Sequence, residues 1–289
     1  MQPFAYHRPN SLQEAFDLKT ATPNARFVAG GTDILVQMKK RRVLPPDALI
    51  SLRGVEELAR IEIDEQIRLG ATAPVGEIVE SPQIKEMFPA FVDALRALGS
   101  PQIRTVATLG GNLCNASPAA DAAPPLMVYD AKVELRSPTG QRLLPIKDLF
   151  LSPGKTALGF DEVLTAILLD PPASGAKAVF MRKGRVRMDL AVVSLALFAE
   201  LKDGLCQRAR VAVGSVAPVP MRLSQVEAIL ERGEIGEASI AEARQVAEAS
   251  VAPITDVRST AQYRRVLTGV FVERAIKRIW PAAVRGARR

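Results

Sequence analysis

The sequence is short of the residues that build metal and nucleophile sites. Its 289 residues include two cysteines, Cys114 and Cys206, and a single histidine, His7. Two thiols cannot cage zinc or hold an iron–sulfur cluster, and a Ser-His-Asp triad lacks a base unless His7 supplies it. Redox chemistry would have to come from an organic cofactor. In a reducing compartment both thiols stay free. Aromatics are scarce as well, with ten Phe, three Tyr and one Trp. No apolar run reaches the roughly 18 residues of a membrane span. The N-terminal MQPFAYHRP lacks the charged-then-apolar order of a secretory signal, so a cytoplasmic chain is expected. Two nucleotide motifs are also missing. No GxGxxG opens a helix after a strand, and Gly154-Lys155-Thr156 is preceded by Leu149 where a Walker A loop needs its first glycine.

The length allows two domains, and a hydrophobic content of 48% suits a globular protein. The formal charge of +7 is spread over short clusters, Lys39 to Arg42, Arg182 to Arg187 and Arg285 to Arg289. With so few aromatics to interleave, these read as solvated faces or a protein interface, and nucleic acid is not an expected partner.

Helical spacing appears at Ser11 to Thr20, with Ser11 as N-cap and Glu14 at the capping-box position, and at Phe91 to Leu98, closed by Gly99. Strands are expected at Arg26 to Ala29, Ala48 to Leu52, Ile61 to Ile63, Ile67 to Leu69, Lys132 to Arg136, Gln141 to Pro145 and Glu162 to Leu169, and a helix from Thr32 to Lys40. The Pro/Gly-rich stretch 171–177 separates a first domain, 1–174 (subdomains about 1–55 and 56–174), from a second, 177–281, followed by a basic tail, 282–289. The second domain predicts strands at Val179 to Arg182, Asp189 to Leu201 and Cys206 to Val213. Helices follow at Ser224 to Glu231, Ser239 to Ala249 and Ala261 to Trp280, giving a sheet covered by helices.

Two stretches stand out. FVAGGTDIL (27–35) and TVATLGGNLC (105–114) each carry a glycine pair after an apolar run, and Asp121 lies ten residues past Gly111. Glycine pairs let backbone amides turn toward phosphate oxygens, and a helix N-terminus behind them adds partial positive charge. They are also common turn signals. Two such loops can clasp a diphosphate between them.

Together, AGGTD and TLGGN resemble the paired signature of the flavin-binding subunit of the xanthine dehydrogenase and carbon monoxide dehydrogenase family of molybdenum hydroxylases. The likeness extends from YHRP near the start to Tyr263-Arg264-Arg265. It implies an α+β, two-subdomain FAD-binding fold of the vanillyl-alcohol oxidase (PCMH) type, followed by a smaller α+β domain. It also implies FAD contacts at Val28, Ala29, Gly30, Gly31, Thr32 and Asp33 on the first loop, and at Thr108, Leu109, Gly110, Gly111 and Asn112 on the second. Asp121 matches the acid that meets the adenosine ribose, although it could instead cap a helix from Ala122. Leu98 and Leu164 match apolar lining positions, and Leu190 the place beside the isoalloxazine. Arg182, or Lys183 next to it, matches a family lysine. The implied partners are an iron–sulfur small subunit with [2Fe-2S] clusters and a molybdopterin large subunit, doubled into a dimer of heterotrimers. The implied activity is electron transfer from cluster to outside acceptor, with no catalytic residue on this chain. A free-standing FAD oxidoreductase and a silent basic scaffold are the alternatives.

Overall fold

The computed structural model describes residues 3–202 and 205–281. The basic tail 282–289 and the turn expected at Asp203-Gly204 lie outside the described residues. The fold is α+β and opens with a small parallel sheet of β1 (Ala5–His7), β2 (Arg26–Val28) and β3 (Ala48–Ser51), ordered β1-β3-β2. The helix Leu12–Ala21 crosses over between β1 and β2, and Leu12, Ala15 and Phe16 are buried on it. Ser11 caps it as expected, accepting the Glu14 amide at 3.2 Å, but the Glu14 carboxylate takes the Asn10 amide and not that of Ser11.

The second sheet contains β4 (Ile61–Ile63), β5 (Ile67–Gly70), β6 (Lys132–Ser137) and β7 (Gly140–Pro145). After a hairpin of β8 (Phe150–Ser152) and β9 (Lys155–Thr156), which holds the Gly-Lys-Thr triplet, comes β10 (Val163–Leu169). The order is β4-β5-β10-β6-β7, all antiparallel. β10 reads VLTAILL and is buried at every position, as a central strand covered on both faces should be. Its one polar group, the Thr165 hydroxyl, donates to Glu134 Oε1 at 2.6 Å.

Helices Val75–Glu80, Pro82–Met87, Pro89–Ala97 and Ala123–Val128 pack with this sheet. Pro82–Met87 and Pro101–Arg104 were not anticipated. In both, a Ser-Pro pair that resembles a turn instead starts a helix, with the serine as N-cap and proline at the first helical position.

The third sheet runs β11 (Lys177–Lys183), β12 (Val193–Lys202), β13 (Leu205–Gly214) and β14 (Met221–Arg222) in sequence order, antiparallel throughout. β12 alternates strictly. Val193, Leu195, Leu197 and Ala199 join the helices Ser224–Leu230, Glu237–Ser250 and Ala261–Ile279 in one core, while Ala196 and Phe198 belong to the core of the second sheet. The Phe198 ring meets Tyr129 edge-on at 5.6 Å, so the two halves of the chain share apolar packing. β12 begins at Val193 and not at the expected Asp189. Asp189 is drawn into a loop, where its carbonyl accepts from Arg182 and its carboxylate from Arg185 at 2.9 Å. Among the described residues no helix is long and apolar enough to cross a membrane.

On the last helix Leu267, Phe271 and Ile279 are buried, while Tyr263 is 48% exposed and Arg264 is buried among them. Arg264 donates to the carbonyls of Val192 (2.9 Å) and Ser215 (3.0 Å) and to Asp256 Oδ1 (2.8 Å). The Arg258 guanidinium, helped by Arg264, holds the Asp256 carboxyl well below the usual carboxylate range. That contribution to stability is present at neutral pH and is lost as pH falls below about 4. Arg264→Met takes their shared donor from two buried carbonyls and leaves Asp256 to Arg258 alone, and is expected to cost about 3–5 kcal/mol in urea unfolding at pH 7. A loss under about 1 kcal/mol would show that these bonds are replaceable by water.

Candidate cofactor site

The first glycine loop leaves β2 at Val28, turns through Gly31 at φ +71°, and enters a helix at Ile34 and not at the expected Thr32. Val28 to Thr32 are half-buried and Asp33 is exposed. The backbone amides of Gly30, Gly31, Thr32 and Asp33 meet no acceptor among the described residues. Four successive unpaired donors in a half-buried turn need water or a ligand to satisfy them. The helix behind them, Ile34–Lys39, is only six residues long, so the loop's own N–H groups carry the attraction for an anion more than a summed helix dipole does.

The second loop is built differently. TLGGN is not a turn between strands but the first turn of a helix, Leu109–Cys114, with Thr108 as N-cap. Its amides are already engaged. Leu109 donates to the Ala73 carbonyl (3.3 Å), Gly110 to that of Ala71 (2.9 Å), Gly111 to Thr108 Oγ1 (3.1 Å) and Asn112 to the Thr108 carbonyl (3.0 Å). The expectation that this pair turns free amides outward therefore fails, and Gly111 has no positive φ. Gly110 is glycine because a Cβ there would lie 2.6 Å from that of Ala71. Gly111 is exposed, and a Cβ on it would meet only Thr108 Oγ1, at 2.8 Å. Next to it, Asn112 Oδ1 is buried without a partner.

The two loops touch. A Cβ on Gly30 would come within 2.3 Å of the Val106 carbonyl oxygen, so the first loop lies backbone against backbone on the entry to the second. Gln37 Nε2 completes the clasp, donating to Asp33 Oδ2 (2.6 Å) and to Asn115 Oδ1 (3.2 Å).

Asp121 does not cap a helix: the helix Ala123–Val128 has Ala122 at its N-cap and no side-chain cap bond. The Asp121 carboxylate is buried and accepts from Arg182 Nε at 2.9 Å, across the two halves of the chain. Burial pushes its pKa up to about 6, partly offset by Arg182. Between Arg182 and Lys183, only the former turns to Asp121, while Lys183 is exposed. Leu190 follows Asp189 in the same loop and is 56% exposed; Leu98 is half-buried and Leu164 lies in the core at a bulge of β10.

Known proteins share this fold. Residues 2–172 match the FAD binding domain in molybdopterin dehydrogenase, and residues 178–279 the CO dehydrogenase flavoprotein C-terminal domain. The chain belongs to that family. It is 31% identical to the putative xanthine dehydrogenase FAD-binding subunit of Escherichia coli (strain K12), over 96% of this chain and 97% of the relative. To the carbon monoxide dehydrogenase medium chain of Afipia carboxidovorans it is 30% identical, over 95% and 96%. The solved carbon monoxide dehydrogenase of Hydrogenophaga pseudoflava, a form lacking the Mo-pyranopterin moiety, superimposes with a TM-score of 0.93 at 28% identity, covering 97% of this chain and 99% of that one.

The chain is thus an FAD-binding subunit of the molybdopterin-dependent dehydrogenases, and its residues fit the group. Unpaired amides on one loop, an open glycine and an orphaned buried acceptor on the other suit a ligand with both phosphate oxygens and donors. Sequence reasoning missed three groups at this place. Gln37 ties the loops together, the segment Ala71 to Ala73 receives the second loop's amides, and Thr72 within it has a buried hydroxyl without a partner. Isolated polar residues in helices and short loops give no sequence signal of such contacts.

The three glycines are expected to separate in thermal unfolding of the apo-subunit. Gly30→Ala forces backbone apart and should cost about 1–3 kcal/mol, Gly31→Ala about 1–2 kcal/mol for its left-handed turn, and Gly111→Ala less than either. Equal losses at all three would contradict the packing described.

Proposed function

We propose that this subunit binds one FAD non-covalently between its two loops and relays electrons from the iron–sulfur subunit to an outside acceptor. The unpaired amides of Gly30 to Asp33, on a loop packed against the entry to the one that bears Gly111 and Asn112, carry this reading. On it, the amides with Val28 and Ala29 hold the diphosphate, Thr108 and Leu109 shape the second wall, and Asn112 supplies its orphaned oxygen to a donor of the cofactor. FAD, when bound, takes up electrons from a cluster and yields them to the acceptor.

Asp121 accepts ribose hydroxyls, and Arg182 holds its carboxylate in place while gripping the loop that bears Leu190. The sole histidine, His7, lies in β1, and neither glycine loop supplies a residue placed to act as a substrate base. The subunit is therefore a relay within a complex with the molybdopterin and iron–sulfur subunits, doubled as a dimer of heterotrimers in the cytoplasm. Its two domains meet at 171–177. The names of its relatives support the complex: medium chains and medium subunits, including that of nicotine 6-hydroxylase from Paenarthrobacter nicotinovorans.

Titration of the apo-subunit with FAD tests the site. Gly111→Val should abolish binding while leaving the fold intact, and Asp121→Asn should weaken it by about 1–3 kcal/mol. Because the Asp121 carboxyl has been pushed up to about 6, it is ionised at neutral pH. Wild-type affinity should fall as pH drops through about 6, while that of Asp121→Asn stays flat. Unchanged affinity in Gly111→Val would reduce the loops to packing turns. Stopped-flow reduction tests the relay: the complex's organic substrate should reduce the flavin in the assembled complex and not in the isolated subunit. Rapid reduction of the isolated subunit would favour a free-standing oxidoreductase.

A further inference from the structure

Among the described residues β11 is the end strand of its sheet and bonds to β12 alone. Beside it, Tyr263, Val266, Val270, Arg274 and Arg278 follow at helical spacing on one side of the last helix, and with Lys183 they line a groove of about 560 Å³. Tyr263 and Val266 are 48% and 41% exposed. Among the described residues no carboxylate lines this groove. Lys183, Arg274 and Arg278 form no ion pair among the described residues, whereas Lys277 and Arg244 share Glu273.

Charges on an end strand commonly serve only to keep it from pairing. Here they come with a partly apolar floor on the neighbouring helix, and three uncompensated cations repel one another unless an anion lies between them. An edge strand can also pair with a second extended backbone, which a small ion does not use. Of the aromatic side chains lining the groove, Phe180 and Phe271 are buried and Tyr263 alone is exposed, which is poor support for stacked bases and disfavours nucleic acid.

We propose that this groove docks an extended acidic segment of a partner subunit, added as a strand to the free edge of β11, with its carboxylates on Lys183, Arg274 and Arg278. The assignment rests on the reading that the chain works inside a multisubunit complex. It borders the cofactor site at Arg182, which lines the groove but is turned to Asp121; Arg274 and Arg278 belong to the groove and not to the cofactor site, so the two are separable by experiment.

The full chain is co-expressed with its iron–sulfur and molybdopterin subunits, as wild type and as Arg274→Glu/Arg278→Glu. The charge-reversed chain is expected to keep its FAD content and melting temperature but to recover at least tenfold less partner subunit on affinity purification. In the assembled complex, a photo-reactive benzoylphenylalanine replacing Val266 is expected to crosslink to an Asp/Glu-rich segment of one partner. If the wild-type chain recovers neither subunit, the relay reading and the groove assignment both fall. If both chains assemble equally, or the crosslink goes to nucleic acid or a second copy of this chain, the groove assignment alone falls.

Discussion

The contact on which the site depends is the one between Gly30 and the Val106 carbonyl. No side chain separates the two loops there; an added Cβ would sit 2.3 Å from the oxygen. Backbone packed on backbone leaves little room for adjustment, which fixes the distance between the turn at Gly30 to Asp33 and the helix start at Thr108. The same closeness explains why the loops divide their work. The second loop donates its amides to Ala71, Ala73 and its own Thr108 and is thereby stiff, while the first keeps its amides unpaired. One wall is preorganised and the other carries donors, an arrangement in which binding orders few groups.

A second link runs between the halves of the chain. Arg182 on β11 reaches Asp121 from the first half and the Asp189 carbonyl from the loop ahead of β12. The base of that loop is closed by the Val192 amide on the Lys183 carbonyl (2.7 Å) and by Arg264 on the Val192 carbonyl (2.9 Å). The exposed Leu190 is therefore carried on a loop held at both its middle and its end. Buried ion pairs seldom add much stability beyond an apolar substitute; their use here is positional, since they register one domain's loop against the other's carboxylate.

Much of this was legible in the sequence where local periodicity decides the outcome. The hairpin of β4 and β5 and the continuous apolar runs of β10 and β12 follow from one rule, that each buried face of a strand is apolar. The fold class and the family followed from the two glycine motifs. What escaped was set by partners far away in the chain. Asp121 lies 61 residues from Arg182, and a ten-residue window shows it as a helix cap. Leu109 and Gly110 looked like a loop because their role depends on acceptors at Ala71 and Ala73, which no local pattern announces. Arg264 appeared on a helix face otherwise apolar, and only the convergence of two carbonyls and Asp256 makes its burial tolerable.

The central claim is that the cofactor is held by the unpaired amides of the first loop. Amide hydrogen exchange of the apo-subunit, followed residue by residue with and without added FAD, addresses it most directly. Leu109, Gly110 and Gly111 should be protected before FAD is added and change little. Gly31, Thr32 and Asp33 should exchange rapidly in the apo-subunit and become strongly protected in the bound form. Exchange at those three amides that is unaffected by saturating FAD would contradict the account.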